Sequence, residues 1–268
     1  MIKLSSCIEM MFREVPFEDR IAEAKRVGFS AWEMWSWTNK NIESLVEATE
    51  RANLPAVGCV VGSQDENLLA TWQEGGMLVK DNAHLFGEMV EETIEKTEPL
   101  NIKTFIVTTG NALPNVSRDA QQEAIVESLN VAAPILEKNG CILVLEPLNI
   151  LVNHMGQYLY RSDQGFEILR KVNSPNVKLL YDVYHQQITE GNLIDTIREN
   201  IDAIGHFHIA DVPGRCEPGT GEINYKNVLK AISESGYRNY VGCEYNPSEG
   251  KTTEESAAQI LDIVGSIL

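Results

Sequence analysis

At 268 residues and 43% apolar content, the chain can bury a sizeable core, and no run approaches the roughly 18 apolar residues of a membrane span. Its formal net charge of −17 repels nucleic-acid phosphates and anionic lipid. That excludes a long polyanionic partner but not a small one, because a local metal ion or arginine outweighs the global field at close range.

At the N-terminus, "MIKLSSCIEMMFREV" lacks the roughly 7–15-residue apolar core and the cleavage site of a secretory signal. The five cysteines, Cys7, Cys59, Cys141, Cys216 and Cys243, are scattered and lack zinc-finger or redox spacing, so they read as reduced thiols of a cytoplasmic protein. Leu4–Ile8 is the first of eight short, β-rich apolar runs; the others are Ala31–Trp35, Ala56–Val61, Thr104–Thr108, Cys141–Glu146, Val177–Asp182, Ile204–Ile209 and Tyr240–Tyr245. Between them lie segments with apolar residues at three- and four-residue steps, among them "FEDRIAEAKRVG", "NIESLVEATERAN", "LFGEMVEETIEKTEPLN" and "RDAQQEAIVESLNVAAPILEKNG". Several end on Gly or Asn, the residues that close helices. "SDQGFEILRKVN", "NLIDTIREN", "NYKNVLKAISESG" and "TEESAAQILDIVGSIL" complete the set. Strands alternating with helices imply a parallel sheet, and eight such units imply closure into a (β/α)8 TIM barrel of the α/β class. No linker or composition break divides the chain, so residues 1–268 are expected to form one domain. An open doubly wound sheet is the rival, but no glycine-rich phosphate turn follows the first strand.

In such a barrel the chemistry sits where strands end. The last four predicted strands end at or near Glu146 in "LVLEPLN", Asp182 in "LLYDVYH", His208 in "HFHIAD" and Glu244 in "GCEYNP". Their separations of 36, 26 and 36 residues (146 to 182, 182 to 208, 208 to 244) are each near one strand–helix repeat, which places all four around one level of the mouth. Unpaired carboxylates there would be costly or become protonated. A divalent cation removes the conflict, and three carboxylates with one imidazole suit Mn²⁺ or Mg²⁺, with Co²⁺ also compatible. The alternative is a structural network paired with Arg and Lys, against which basic residues are scarce near these strand ends.

Side chains alternate along a strand, so His206 and His208 face the same side, His208 nearer the mouth and His206 one layer deeper as a hydrogen-bonded core residue or an orienting group behind a ligand. His185, in the expected loop after Asp182, is placed either to hydrogen-bond a substrate oxygen or as a solvated loop residue. Arg215, in the polar loop "DVPGRCEPGTGE", either holds a substrate oxygen with its donor fork or forms a surface ion pair. Trp35, Trp37 and Phe12 are candidates for a pocket wall, although Trp32 and Trp35 face opposite sides of their strand so that at least one of them packs in the core. Glu33 is placed either as a supporting acid or as a structural one; His84 and His154 read as surface or structural.

With these residues in hand, the chain resembles the hydroxypyruvate isomerase family of the xylose-isomerase-like TIM barrels, close kin of the ketose 3-epimerases. The resemblance is carried by "EPLN", "YDVYHQQITEGNL", "IGHFHIADVPGRCEPGTGEINY" and "VGCEYNP", with similar element order along the whole chain. It implies that Glu146, Asp182, His208 and Glu244 hold one divalent metal, that Glu146 and Glu244 serve as acid and base, and that His185 and Arg215 contact substrate oxygens. Three positions depart from the pattern. Some members have Gln at position 208, where His is the epimerase-like choice; an acidic residue common after "EPLN" is replaced by Ile150-Leu151-Val152; and Gly110-Asn111 stand where hydroxypyruvate-specific members can carry a lysine.

The expected activity is therefore isomerisation between aldose and ketose forms through a cis-enediolate, with hydroxypyruvate and tartronate semialdehyde as the first candidate pair. Epimerisation or isomerisation of neutral ketoses shares the intermediate and is the alternative. A sugar lyase using the same intermediate and a non-enzymatic barrel follow, and a DNA-repair endonuclease lacks both the histidine-rich ligand set and the basic groove it needs. Partners are then a small keto-acid or ketose, no nucleic acid, no membrane, and a second copy of the chain where the barrel pairs into a homo-oligomer.

Overall fold

The computed structural model describes residues 2–267. Eight parallel strands close into a barrel in chain order: β1 (Lys3–Cys7), β2 (Ala31–Glu33), β3 (Ala56–Val60), β4 (Thr104–Val107), β5 (Ile142–Leu145), β6 (Val177–Asp182), β7 (Ile204–Ile209) and β8 (Tyr240–Cys243), with β8 pairing back onto β1. Ten α-helices surround them: α1 (Asp19–Val27), α2 (Ile42–Ala52), α3 (Glu66–Trp72), α4 (Ala83–Thr97), α5 (Arg118–Asn139), α6 (Ser162–Val172), α7 (Val183–Thr189), α8 (Leu193–Asn200), α9 (Tyr225–Glu234) and α10 (Thr253–Gly265). No helix is long and apolar enough to cross a membrane among the described residues. All five cysteines are free thiols.

Local chemistry sets the helix ends. Asn41 accepts from the Ser44 N–H to start α2, and Asn53 closes it in the left-handed region at φ 48°. Ser117 and Gly140 do the same for the 22-residue α5, and α10 opens on a Thr252–Glu255 capping box. Two helices escape the sequence pattern. α3 is only seven residues long in the "ENLLATW" segment, and α7 is seven residues of mixed polarity, each too short to show a helical period.

Alternation along the strands divides the core. Leu143, Leu145, Leu179, Tyr181 and Phe207 belong to the large apolar layer packed between barrel and helices. Ile106, Val144 and Leu180 form a separate small cluster with Val60 and Ile142. Val144 and Leu180 stand two residues before Glu146 and Asp182, so this cluster is the apolar filling of the barrel interior beneath the mouth. The register then fixes the level of the polar groups above it, since Asp182 pairs with His208 and His208 with Gly242. β5 and β8 end one residue before Glu146 and Glu244, yet the Glu146 N–H still donates to the Val107 carbonyl at 2.9 Å and the Glu244 N–H to the Ile209 carbonyl at 3.2 Å. Both carboxylates are thereby pinned to the rim.

Candidate metal centre and active site

Each of Glu146, Asp182, His208 and Glu244 offers one ligand atom, and these atoms lie within 4.8 Å of one another, all on buried side chains. His208 Nδ1 is buried without a hydrogen-bond partner, 3.7 Å from Glu146 Oε1 and 3.5 Å from Glu244 Oε2. A buried, unpartnered imidazole nitrogen facing carboxylates at such distances is the arrangement a cation resolves, and the oxygen-rich donor set fits a hard divalent ion. The four rim residues fit the expected metal.

Asp182 also builds the adjoining helix. Its Oδ1 accepts from the N–H groups of Tyr184 at 2.7 Å and His185 at 3.3 Å, capping α7 and leaving Oδ2 for the site. Burial raises its pKa, assisted by Glu244 and opposed by Arg215 and His208. For Glu244 the balance falls the other way. Burial disfavours its charge, but His208 and Arg215 hold the carboxyl well below the usual carboxylate range. Trp35 Nε1 donates to Glu244 Oε1 at 2.5 Å, and Arg215 Nη2 donates to Oε2. No comparable donor reaches the Glu146 carboxylate among the described residues. This leaves two unlike glutamates, one clamped and one free.

Beneath the rim, Glu33 ties the histidines together. Its Oε2 accepts from Ser5 Oγ at 3.1 Å and contacts His206 Nε2 at 3.0 Å, while Oε1 lies 3.0 Å from His208 Nε2 in a geometry too bent for a hydrogen bond. Burial opposes ionisation of Glu33, yet the two histidines bring its pKa down to about 2. His206 is thus the hydrogen-bonded deeper residue. Gly242 makes room for this arrangement, because a Cβ there would collide with Glu33 Oε1 and come within 2.6 Å of His208 Cδ2. Gly242→Ala is expected to weaken divalent-ion binding about 10–100-fold, the usual cost of disturbing groups behind a ligand, with far-UV circular dichroism unchanged. Unaltered affinity in a calorimetric titration would remove Glu33 and Gly242 from the site.

The structure corrects the placement of His185. It lies in the first turn of α7 rather than in a loop, and it is fully buried rather than solvated. The cause is Asp182, whose cap starts the helix immediately after β6. Burial pushes the imidazole pKa down to about 3 against the pull of Glu146, so the ring stays neutral. Arg215 is likewise no surface ion pair. Its guanidinium lies over the Tyr184 ring, 5.3 Å from the centroid, and its Nε is buried without a partner. Its loop is held in place by Asp211, which accepts from the N–H groups of Val212 (2.9 Å), Ile223 (3.1 Å) and Gly219 (2.7 Å). Asp211 escaped the sequence reading; its position two residues past β7, at the head of a long loop, was the available signal.

Among the aromatic candidates, Trp32, Trp37 and Phe12 are buried in the core, whereas Trp35 is 42% exposed and touches Glu244. Trp35 is the wall. His84 and His154 are exposed, as expected, although the His154 ring sits 5.4 Å from that of His185.

A family model described as a xylose isomerase-like TIM barrel matches residues 21–263. The chain is 32% identical to the hydroxypyruvate isomerase of Escherichia coli strain K12, covering 98% of this chain and 99% of that one. It is 31% identical to the 2-oxo-tetronate isomerase of Pectobacterium atrosepticum, covering 95% of each. A solved structure described as an AP endonuclease, family 2, from Brucella melitensis superposes with a TM-score of 0.88 at 29% identity, covering 98% of this chain and 99% of that one.

Proposed function

From a chain that belongs to the xylose isomerase-like TIM-barrel family, in its hydroxypyruvate isomerase branch, we propose a divalent-metal-dependent isomerase that interconverts hydroxypyruvate and tartronate semialdehyde. The observation that carries this reading is the convergence of Glu146, Asp182, His208 and Glu244 at the rim, with the unpartnered His208 Nδ1 among them. Those four residues would hold one Mn²⁺ or Mg²⁺, which supplies Lewis-acid polarisation of a carbonyl and its neighbouring hydroxyl.

The chain's own groups perform the proton transfers. One of Glu146 and Glu244 removes a proton from the hydroxyl-bearing carbon, giving a cis-enediolate. The other, which enters the step protonated, returns its proton to the former carbonyl carbon, while the hydroxyl proton passes to the former carbonyl oxygen, so atoms and charge balance. Burial of the rim keeps water from competing for the enediolate. Arg215 has a donor to spare for substrate, since its Nη2 is held by Glu244 while Nε is unpaired. His185 supplies a second donor. Trp35 covers one side.

The test is a panel of hydroxypyruvate, tartronate semialdehyde, four-carbon keto-acids and five- and six-carbon ketoses, incubated with Mg²⁺ in D₂O and followed by NMR. The expected result is interconversion of the three-carbon pair with deuterium appearing at the carbon that receives the proton. Turnover of neutral ketoses alone would replace the substrate assignment by the epimerase alternative. Absence of exchange in every substrate would end the isomerase reading.

A further inference from the structure

The hydrogen bonds around Asn149 fix the state of His185 without reference to substrate. Asn149 Oδ1 accepts from the backbone N–H groups of Val152 at 3.0 Å and Asn153 at 3.1 Å. Turning the amide over would aim its NH₂ group at those two donors and its oxygen at Asn153 Oδ1, three mismatches at once. The amide nitrogen therefore faces inward, with one hydrogen towards Asn153 Oδ1 at 3.3 Å and the other towards His185 Nδ1 at 2.7 Å. The backbone N–H of Asn149 donates to the same Nδ1 at 3.1 Å. Asn149 and His185 are both fully buried.

A backbone N–H can only donate, so Nδ1 must be the bare, accepting nitrogen and the proton of the ring must reside on Nε2. Nε2 is buried, without a hydrogen-bond partner, and lies 3.6 Å from Asp182 Oδ2. A donor is thus presented beside the four rim residues with no acceptor within hydrogen-bond reach among the described residues.

We propose that Asn149 is a positioning residue that locks His185 in its Nε2–H form, making it a hydrogen-bond donor to a substrate oxygen and barring it from acting as a proton acceptor. The role in turnover rests on the isomerase reading above; the locked tautomer does not. One consequence is a division of labour. With His185 unable to take up a proton, proton transfer at the substrate carbons falls to Glu146 and Glu244, and the pocket requires an accepting oxygen at Nε2. A second consequence concerns the β5–α6 loop. Asn149 both orders its backbone at Val152 and Asn153 and sets the ring, and Asn153 Oδ1 also accepts from the Tyr184 hydroxyl at 2.8 Å, so loop and ring are held by one network.

The test begins with the unmutated protein, loaded with Mg²⁺ and labelled with ¹⁵N at histidine. Long-range ¹H–¹⁵N correlation is expected to show His185 with a protonated Nε2 and an unprotonated Nδ1; a proton on Nδ1 would overturn the proposal outright. Asn149→Asp keeps the backbone donor to Nδ1 but sets a carboxylate acceptor against it in place of the amide donor, so the ring is then expected to populate both tautomers instead of the Nε2–H form alone. It is also expected to lower kcat for hydroxypyruvate about 10–100-fold with a smaller change in KM. A folded Asn149→Asp protein with unchanged tautomer and kcat would contradict the assigned role. If that variant fails to fold, the spectrum of the unmutated protein decides alone. Since the spectrum needs no substrate, a wrong substrate assignment and a wrong tautomer are separable.

Discussion

Glu244→Gln is expected to lower kcat about 10²–10⁴-fold, the range for loss of a positioned acid or base, and to slow solvent deuterium exchange at the substrate carbon by the same factor. The side chain keeps its length, so the effect isolates charge and basicity. Gln has one accepting oxygen where the carboxylate has two, and two donors face this position, Trp35 Nε1 and Arg215 Nη2. One of them must lose its partner, and the loss of negative charge falls on Arg215, for which Glu244 is the leading attractive charge. Divalent-ion binding is expected to persist, weakened, because three of the four rim ligands remain. Deuterium exchange and product formation both at rates near those of the unmutated protein would remove Glu244 from proton transfer and leave Glu146 to act alone. The parallel Glu146→Gln variant then distinguishes the two carboxylates. Exchange without product formation in one variant identifies the glutamate that returns the proton.

Asp182 gives the second large effect, and two substitutions divide its two roles. Asp182→Asn retains an oxygen to accept from the Tyr184 and His185 N–H groups, and Asn caps helices as well as Asp does. Its expected cost in stability is small. Its expected cost in divalent-ion affinity exceeds about 100-fold, since altering a group merely behind a ligand already costs about 10–100-fold. Asp182→Ala removes the cap as well and is expected to lower stability by a further ~1 kcal/mol, read from urea unfolding. Because His185 sits in the turn that this cap starts, the Ala variant should also disturb its donor position. Equal stability of the two variants would show that the cap is not what begins α7. Equal ion affinity of Asp182→Asn and the unmutated protein would take Asp182 out of the metal site.

The barrel was legible because its strands are short apolar runs, between helices of three- and four-residue period. Val177–Asp182 and Ile204–Ile209 have the predicted limits. The other six strands end earlier than expected, by two residues at β2 (Glu33 rather than Trp35) and β8 (Cys243 rather than Tyr245) and by one at β1, β3, β4 and β5. At β1, β2 and β3 the next residue, Ile8, Met34 or Val61, is still apolar although the strand has ended. The four rim residues could be found because polar groups interrupt apolar runs at one repeat spacing, which is a one-dimensional signal. What surrounds them could not. The clamp of Trp35 on Glu244 joins residues 209 positions apart, and the Glu33–His206 contact joins residues 173 apart. Neither leaves a local pattern. The burial of His185 was hidden for a different reason, since seven residues of mixed polarity are too few to show a helical period and read as a loop until Asp182 is seen to cap them.

Whether Glu146, Asp182, His208 and Glu244 share one divalent cation is read from calorimetric titration of the metal-stripped protein with Mn²⁺. One ion per chain is expected, with affinity falling sharply in His208→Ala and Asp182→Asn and unchanged when an exposed residue such as His84 is replaced. No stoichiometric binding of Mn²⁺, Mg²⁺ or Co²⁺, or binding indifferent to all four rim residues, would contradict it.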